Sequence, residues 1–248
     1  MSFRATEFEF RYRLWFIGGI FAVAFWCYSF DRVNVSVALS RAIFAAGKFH
    51  NPDSINAYAR GFFILGALIV GLAALVRSWA ESYLHSSIVH DMNLHSDSLV
   101  ADGPYRHLRN PLYLGTVLLA VGIGFLASRV GFLVLAVGMT IFTYRLILRE
   151  EASLLASQGE SYRRFFASVP RFVPSLAPRV PAAGRQPNWV DGFTGELFMW
   201  GCAVSMALFA ATENILYYWV PMGVGFGIYF LQAFLRKKPA APPTTGGA

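Results

Sequence analysis

Apolar positions along this chain gather into six long runs, at 14–30, 61–76, 112–127, 130–148, 193–211 and 215–235, with the polar residues crowded between them. A helix needs roughly 20 residues to cross a hydrocarbon core. Several runs fall short of that length, and helical flanks bearing Tyr58, Trp79 and Tyr113 are expected to complete them at the interface. Pro221 is expected to kink the last run. The pattern therefore predicts an all-α, polytopic transmembrane bundle of about six helices. A shorter stretch, 33–47, places Val33, Val37, Leu39, Ile43 and Phe44 at helical spacing and is expected to lie in the interface or re-enter slightly. Only Ser128 and Arg129 separate the third and fourth runs, which predicts a tight antiparallel hairpin. The first run is too long for the apolar core of a signal peptide, and no small-residue cleavage site follows Phe30, so it reads as an uncleaved helix.

The same pattern divides the chain. Residues 1–180 form a four-helix core, and 181–192 continue a Pro-rich stretch that begins at Pro170, Pro174 and Pro178. Residues 193–237 add two further helices, and 238–248 are a low-complexity tail expected to be disordered.

Composition agrees with a membrane protein: 56% of residues are hydrophobic and 14% charged, and mean hydropathy is +0.47. With six spans both termini share a side with the segments 77–111 and 149–192. That side carries most of the Lys and Arg, against Arg32, Arg41, Lys48, Arg60 and Arg129 on the other. The positive-inside rule then places the termini and the long loops in the cytosol. This bias accounts for the net charge of +7, and no basic–aromatic module points to a nucleic-acid partner. Cys27 and Cys202 both fall inside apolar runs and read as packing residues. His85, His90 and His95 recur every five residues, which does not align them on one helix face for a metal. Asn34-Val35-Ser36 is a glycosylation triplet of a kind common by chance.

Candidate chemistry concentrates where the third run begins and the fourth ends, two places that a hairpin brings to one membrane face. Gly103-Pro104 sets a turn, and Pro111 suits a first helical position. The free N–H groups of that helix start can hold a carboxylate. Glu150 and Glu151 stand at the end of the fourth run, where the helix dipole disfavours acids. They call for compensation by Arg109 or Arg106 across the hairpin, or by a bound cation such as a sulfonium or ammonium. The plain alternative is that these charges only snorkel or pair at the interface.

Read in order, Gly103-Pro104-Tyr105, then Arg109-Asn110-Pro111-Leu112-Tyr113, then Glu150-Glu151, Gly159 with Tyr162, and Val169-Pro170 with Pro174 resemble the isoprenylcysteine carboxyl methyltransferases and the related phospholipid N-methyltransferases. The likeness covers about 77–178. The family's His is Asn110 here, which keeps a donor and an acceptor but takes up no proton. The resemblance implies S-adenosylmethionine as methyl donor and a lipid-soluble acceptor among the membrane lipids. It implies a cofactor site formed by Asp97, Ser98, Leu99, Val100, Tyr105, Arg109, Asn110, Pro111, Tyr113, Glu150 and Glu151, with His90 as a further polar contact. Arg109, Glu150 and Glu151 are the implied catalytic residues, and Arg145 or Arg149 the implied anchor for the acceptor. Gly122-Ile123-Gly124 resembles a glycine motif of the phospholipid enzymes, although small residues also serve close helix packing.

Methyl transfer is an in-line displacement, so alignment in a dry site is the expected source of rate. An acidic acceptor needs only a cation to hold it, whereas an ammonium acceptor must lose a proton to Glu150, Glu151 or His107. Two rivals remain. Steroid-reductase-like membrane enzymes that bind NADPH share a similar run, but Leu112 and Thr116 depart from it. A non-enzymatic scaffold is the other.

Overall fold

The computed structural model describes residues 3–48, 53–89 and 101–236. All of the regular structure among them is helical. A short α1 (Glu7–Arg11) leads into α2 (Arg13–Trp26), followed by α3 (Val35–Ile43) and a long α4 (Asp53–Val89). The hairpin consists of α5 (Pro111–Gly124) and a nearly continuous rod made of α6 (Arg129–Leu133), a π turn (Val134–Gly138) and α7 (Met139–Ser168). Then come α8 (Trp189–Gly195), α9 (Leu197–Thr212) and α10 (Ile215–Arg236). The protein is an all-α membrane bundle.

Each of the six apolar runs is helical, but they are unequal. By length and composition two helices among the described residues can cross a membrane alone, Ile55–Leu84 and Arg129–Ser168, and α8 with α9 make a third span if the pair is taken together across its 64° bend. The helix α5 has 14 residues, or about 21 Å at 1.5 Å per residue, against a core of about 30 Å. Its burial explains why a short helix suffices: Gly115, Val117, Leu119, Ala120, Gly122 and Ile123 all face protein, so its length need not match the bilayer. The helix α4 continues well past the expected end of the second run, so the start of the segment read as a loop at 77–111 is helical as far as Val89.

Glycine sets a close contact between α4 and α5. A Cβ on Gly122 meets Val70 Cγ2 at 2.6 Å and the Gly66 carbonyl oxygen at 2.8 Å. The Gly122-Ile123-Gly124 triplet is therefore where α5 lies on α4, with Val70, Ala73, Leu119 and Ile123 packed alongside.

The hairpin turn is clasped by the loop between α2 and α3. Asn34 Nδ2 donates to the carbonyls of Phe125 and Ala127, each at 3.2 Å, while its Oδ1 accepts from the amides of Ser36 and Val37. Ser36 Oγ donates to the Phe125 carbonyl at 2.9 Å. The amide that a glycan would occupy is thus committed to the fold. Beside it, Asp31 accepts from Arg129 Nη2 at 2.8 Å and from the Val130 amide at 2.9 Å.

The Arg129 guanidinium, helped by the Val130 amide, holds the Asp31 carboxyl below its ordinary value of 3.8. A carboxyl with a depressed folded pKa adds stability above the ordinary value and loses it as pH falls through the depressed one. The melting temperature of the detergent-solubilised protein should therefore exceed that of Asp31→Asn at neutral pH. The gap should close as the pH is taken below about 4; a gap that is constant with pH would remove the charge from the explanation.

Candidate active site

At the opposite end of the hairpin, the segment before α5 is bound along its length to the segment after α7. Gly103, at φ +55°, opens a 3-10 turn through Arg106, and a Cβ there would sit 2.3 Å from the Tyr83 ring. The position thus demands glycine for backbone and for space. Buried Asp102 accepts from the amides of Ala183 and Arg185 at 2.8 and 3.0 Å. Arg106 Nε donates to the Val180 carbonyl, the Ser175 amide to the His107 carbonyl, and the Arg109 amide to the Pro170 carbonyl. Residues 102–110 and 169–185 therefore form one irregular ladder, and the prolines of the second segment suit it because its own extended backbone needs few internal donors.

The ladder ends on a buried carboxylate. Glu151, with its side chain 3% exposed, accepts at Oε1 from Arg109 Nε at 2.9 Å and Asn110 Nδ2 at 3.2 Å. At Oε2 it accepts from Arg171 Nε at 2.8 Å. Arg109 lies over the Phe166 ring, 4.1 Å from its centre, and donates to the carbonyls of Phe166 and Val169. Arg171 donates to the Tyr144 hydroxyl at 2.7 Å. Charges this deep are stable only when paired and fully bonded.

Two expectations change here. The acids do not stand at a helix end, because α7 runs on to Ser168 with a break only at Gly159 (φ +57°). Burial, not the helix dipole, is what demands compensation. The compensating cations are Arg109 and Arg171, whereas Arg106 bonds backbone instead.

A cavity of about 260 Å³ opens against this cluster. Its floor is Tyr105, Arg109, Asn110, Pro111, Leu112 and Tyr113. Its other wall comes from α7, where Glu150, Leu154 and Gln158 repeat every fourth residue on one face. The left-handed turn at Gly159 then swings Tyr162 and Phe165 onto the same cavity, and Leu84 of α4 completes it. Tyr113 and Glu150 line the cavity from its two walls. Burial, reinforced by the charges of Glu81 and Glu150, holds the Tyr105 phenol well above its usual range, so it stays a neutral donor.

Thus Tyr105, Arg109, Asn110, Pro111, Tyr113 and Glu150 converge on one cavity, with Glu151 directly behind it. His90, Asp97, Ser98, Leu99 and Val100 lie outside the described residues. Arg145 and Arg149 turn to the N-terminus: Arg145 grips Glu9 with bonds of 2.6 and 2.9 Å, and Arg149 donates to the Ala5 carbonyl at 3.3 Å. Neither lines the cavity. Sequence reasoning missed Leu84, Leu154, Gln158 and Phe165, and it did not place Arg171 on Glu151. The four-residue spacing from Glu150 could have found Leu154 and Gln158.

Residues 61–159 match the family model described as phospholipid methyltransferase. This segment resembles the phospholipid methyltransferases. It contains ten of the cavity's twelve lining residues, all but Tyr162 and Phe165. Among curated proteins, the chain is similar to the cobalt-zinc-cadmium resistance protein CzcN of Cupriavidus metallidurans, with 30% identity over 113 residues. That match spans 46% of this chain and 49% of the relative, so about half of each lies outside it. No solved structure matches. The matched segment thus runs from α4 through α5 to the Gly159 turn.

Proposed function

We propose that the chain transfers a methyl group from S-adenosylmethionine to a lipid-soluble acceptor, with the donor held in the cavity between residues 105–113 and α7. The observation that carries this reading is the wall chemistry. A carboxylate, Glu150, lines the same cavity as three tyrosines and a phenylalanine beside a helix start, all in or next to the matched segment. A carboxylate among aromatic faces suits a cation, and the tyrosines offer both stacking surfaces and hydrogen bonds. At about 260 Å³ the cavity is smaller than the roughly 300–1,000 Å³ of a drug-sized ligand site, so it fits one end of such a cofactor. When bound, the cofactor supplies a methyl group on a positively charged sulfur that departs as a neutral thioether.

The chain's own part is to bind, align and exclude water. Glu151 is fully engaged by Arg109, Asn110 and Arg171 and so fixes the wall. Glu150 is the carboxylate that faces the cavity. It holds the positive end of the donor and is the group placed to take a proton from an ammonium acceptor. For an aliphatic acceptor, an open apolar trough of about 550 Å³ lies between α2 and the π turn before α7. Phe16 lines it and also packs in the layer that holds Tyr113. The Lys and Arg asymmetry supports a cytosolic position for this end of the bundle.

Calorimetric titration of the purified protein with S-adenosylhomocysteine, and in parallel with NADPH, tests the reading. Saturable binding of the former alone is expected, and S-adenosylmethionine, which carries the charged sulfur, should bind about 10- to 100-fold more weakly to Glu150→Gln by loss of a charged partner. Binding of NADPH alone would assign the reductase class, and binding of neither would sink the reading.

A further inference from the structure

The last three helices lie beyond the family segment, yet one of their side chains reaches the cavity wall through a single intermediary. Glu196 stands at the 64° break between α8 and α9. Its carboxylate is buried and receives both prongs of Arg77 from α4, Nε at 2.8 Å and Nη2 at 2.7 Å. The remaining nitrogen of Arg77 donates to the Leu112 carbonyl and to Thr116 Oγ1, each at 3.1 Å. Leu112 is part of the cavity floor. One guanidinium therefore ties α4, the first turn of α5 and the α8–α9 break together. The fit around it is close: a Cβ on Gly192 would lie 2.5 Å from the Ser78 carbonyl oxygen, and Trp200 Nε1 donates to Ser78 Oγ at 3.0 Å.

From this arrangement we infer that Arg77 is a positioning residue for the cofactor cavity and that Glu196 is the counter-charge that aims it. The inference rests on the cofactor reading above. An arginine among apolar helices needs a partner or it withdraws to water. Its planar fork satisfies Glu196 with one edge and leaves the other for Leu112. The added helices thereby set the pitch of the α5 start, where the floor residues 109–113 stand.

A pair that merely glues helices gives different results from one that positions the floor, and three variants separate them. Glu196→Gln leaves Arg77 uncompensated and should lower both melting temperature and affinity. The double change Arg77→Met with Glu196→Met removes both charges and should recover much of the melting temperature. Arg77→Lys keeps the charge pair but lacks the second edge of the fork. In both of the latter, amide exchange over 111–117 should quicken in the ligand-free protein, and S-adenosylhomocysteine should bind about tenfold more weakly. Exchange and affinity at the wild-type level in Arg77→Lys and in the double variant would overturn the inference and leave a helix-gluing pair. If the wild-type protein binds no S-adenosylhomocysteine, the cofactor reading fails by itself, and the exchange measurement still decides whether Arg77 orders the α5 start.

Discussion

Glu151→Gln should unfold the protein at a markedly lower temperature, at a cost of about 3 kcal/mol or more. The wild-type carboxylate is nearly sealed from solvent and answers two arginines and an asparagine. A glutamine there still accepts a bond from one of them, but its amide nitrogen opposes the other cation. Arg109 cannot escape to water, since it is stacked on Phe166 and bonded to two carbonyls, and only 6% of its side chain is exposed. Cofactor binding should fall with stability, because the same knot anchors Asn110 and the segment from 169 onward. Glu150→Gln is the control. Among the described residues Glu150 has no ion pair, so this change should weaken binding with little loss of melting temperature. Thermal melts of the two variants side by side decide it: equal stability losses would mean that Glu151 is not the cornerstone the geometry makes it.

Gly122→Leu is the second large effect. The first carbon added would already overlap Val70 and the Gly66 carbonyl, and the latter belongs to backbone that cannot rotate away. The helices α4 and α5 must then separate, at a cost of about 1–3 kcal/mol for the overpacking alone. Gly71, on the same α4, has open space where a Cβ would stand. Gly71→Ala should therefore be accommodated and should raise stability by about 0.5–1 kcal/mol. A Gly122→Leu protein with a wild-type melting temperature would show that the α4–α5 contact is looser than its geometry.

Much of this architecture was legible in the sequence, for identifiable reasons. Apolar runs find helices because backbone in lipid must bond to itself. The hairpin could be read from the two polar residues between its runs, and putting both ends at one membrane face brought Arg109 and Arg106 to the Glu150-Glu151 side, without telling which of them pairs. Other features needed coordinates. The stretch from 149 reads as the start of a charged helix, but hydropathy ends the apolar run at 148, so its being one rod with that run needed coordinates. The ladder from 102 to 185 is made largely of backbone bonds, which leave little trace in side-chain identity. Arg77 counts in the sequence only as one of the basic residues of the segment 77–111, although it is bonded inward to Glu196. Arg145 and Arg149 show the reverse case, since charge alone does not tell which acid a cation will meet, and α1 supplies Glu9 and Glu7.

The ladder also bears on how the chain is made. Asn34 can clasp Phe125 and Ala127 as soon as the hairpin turn has been synthesised. Glu151 has Arg109 as its first counter-charge and waits for Arg171, twenty residues later. The carbonyls of residues 106 and 107 and the carboxylate of Asp102 wait longer still, for 175 to 185. Assembly is thus ordered from one face of the bilayer to the other. A nascent chain halted just short of residue 171 would have its far end closed, while its active-site end still lacked the segment that seals it.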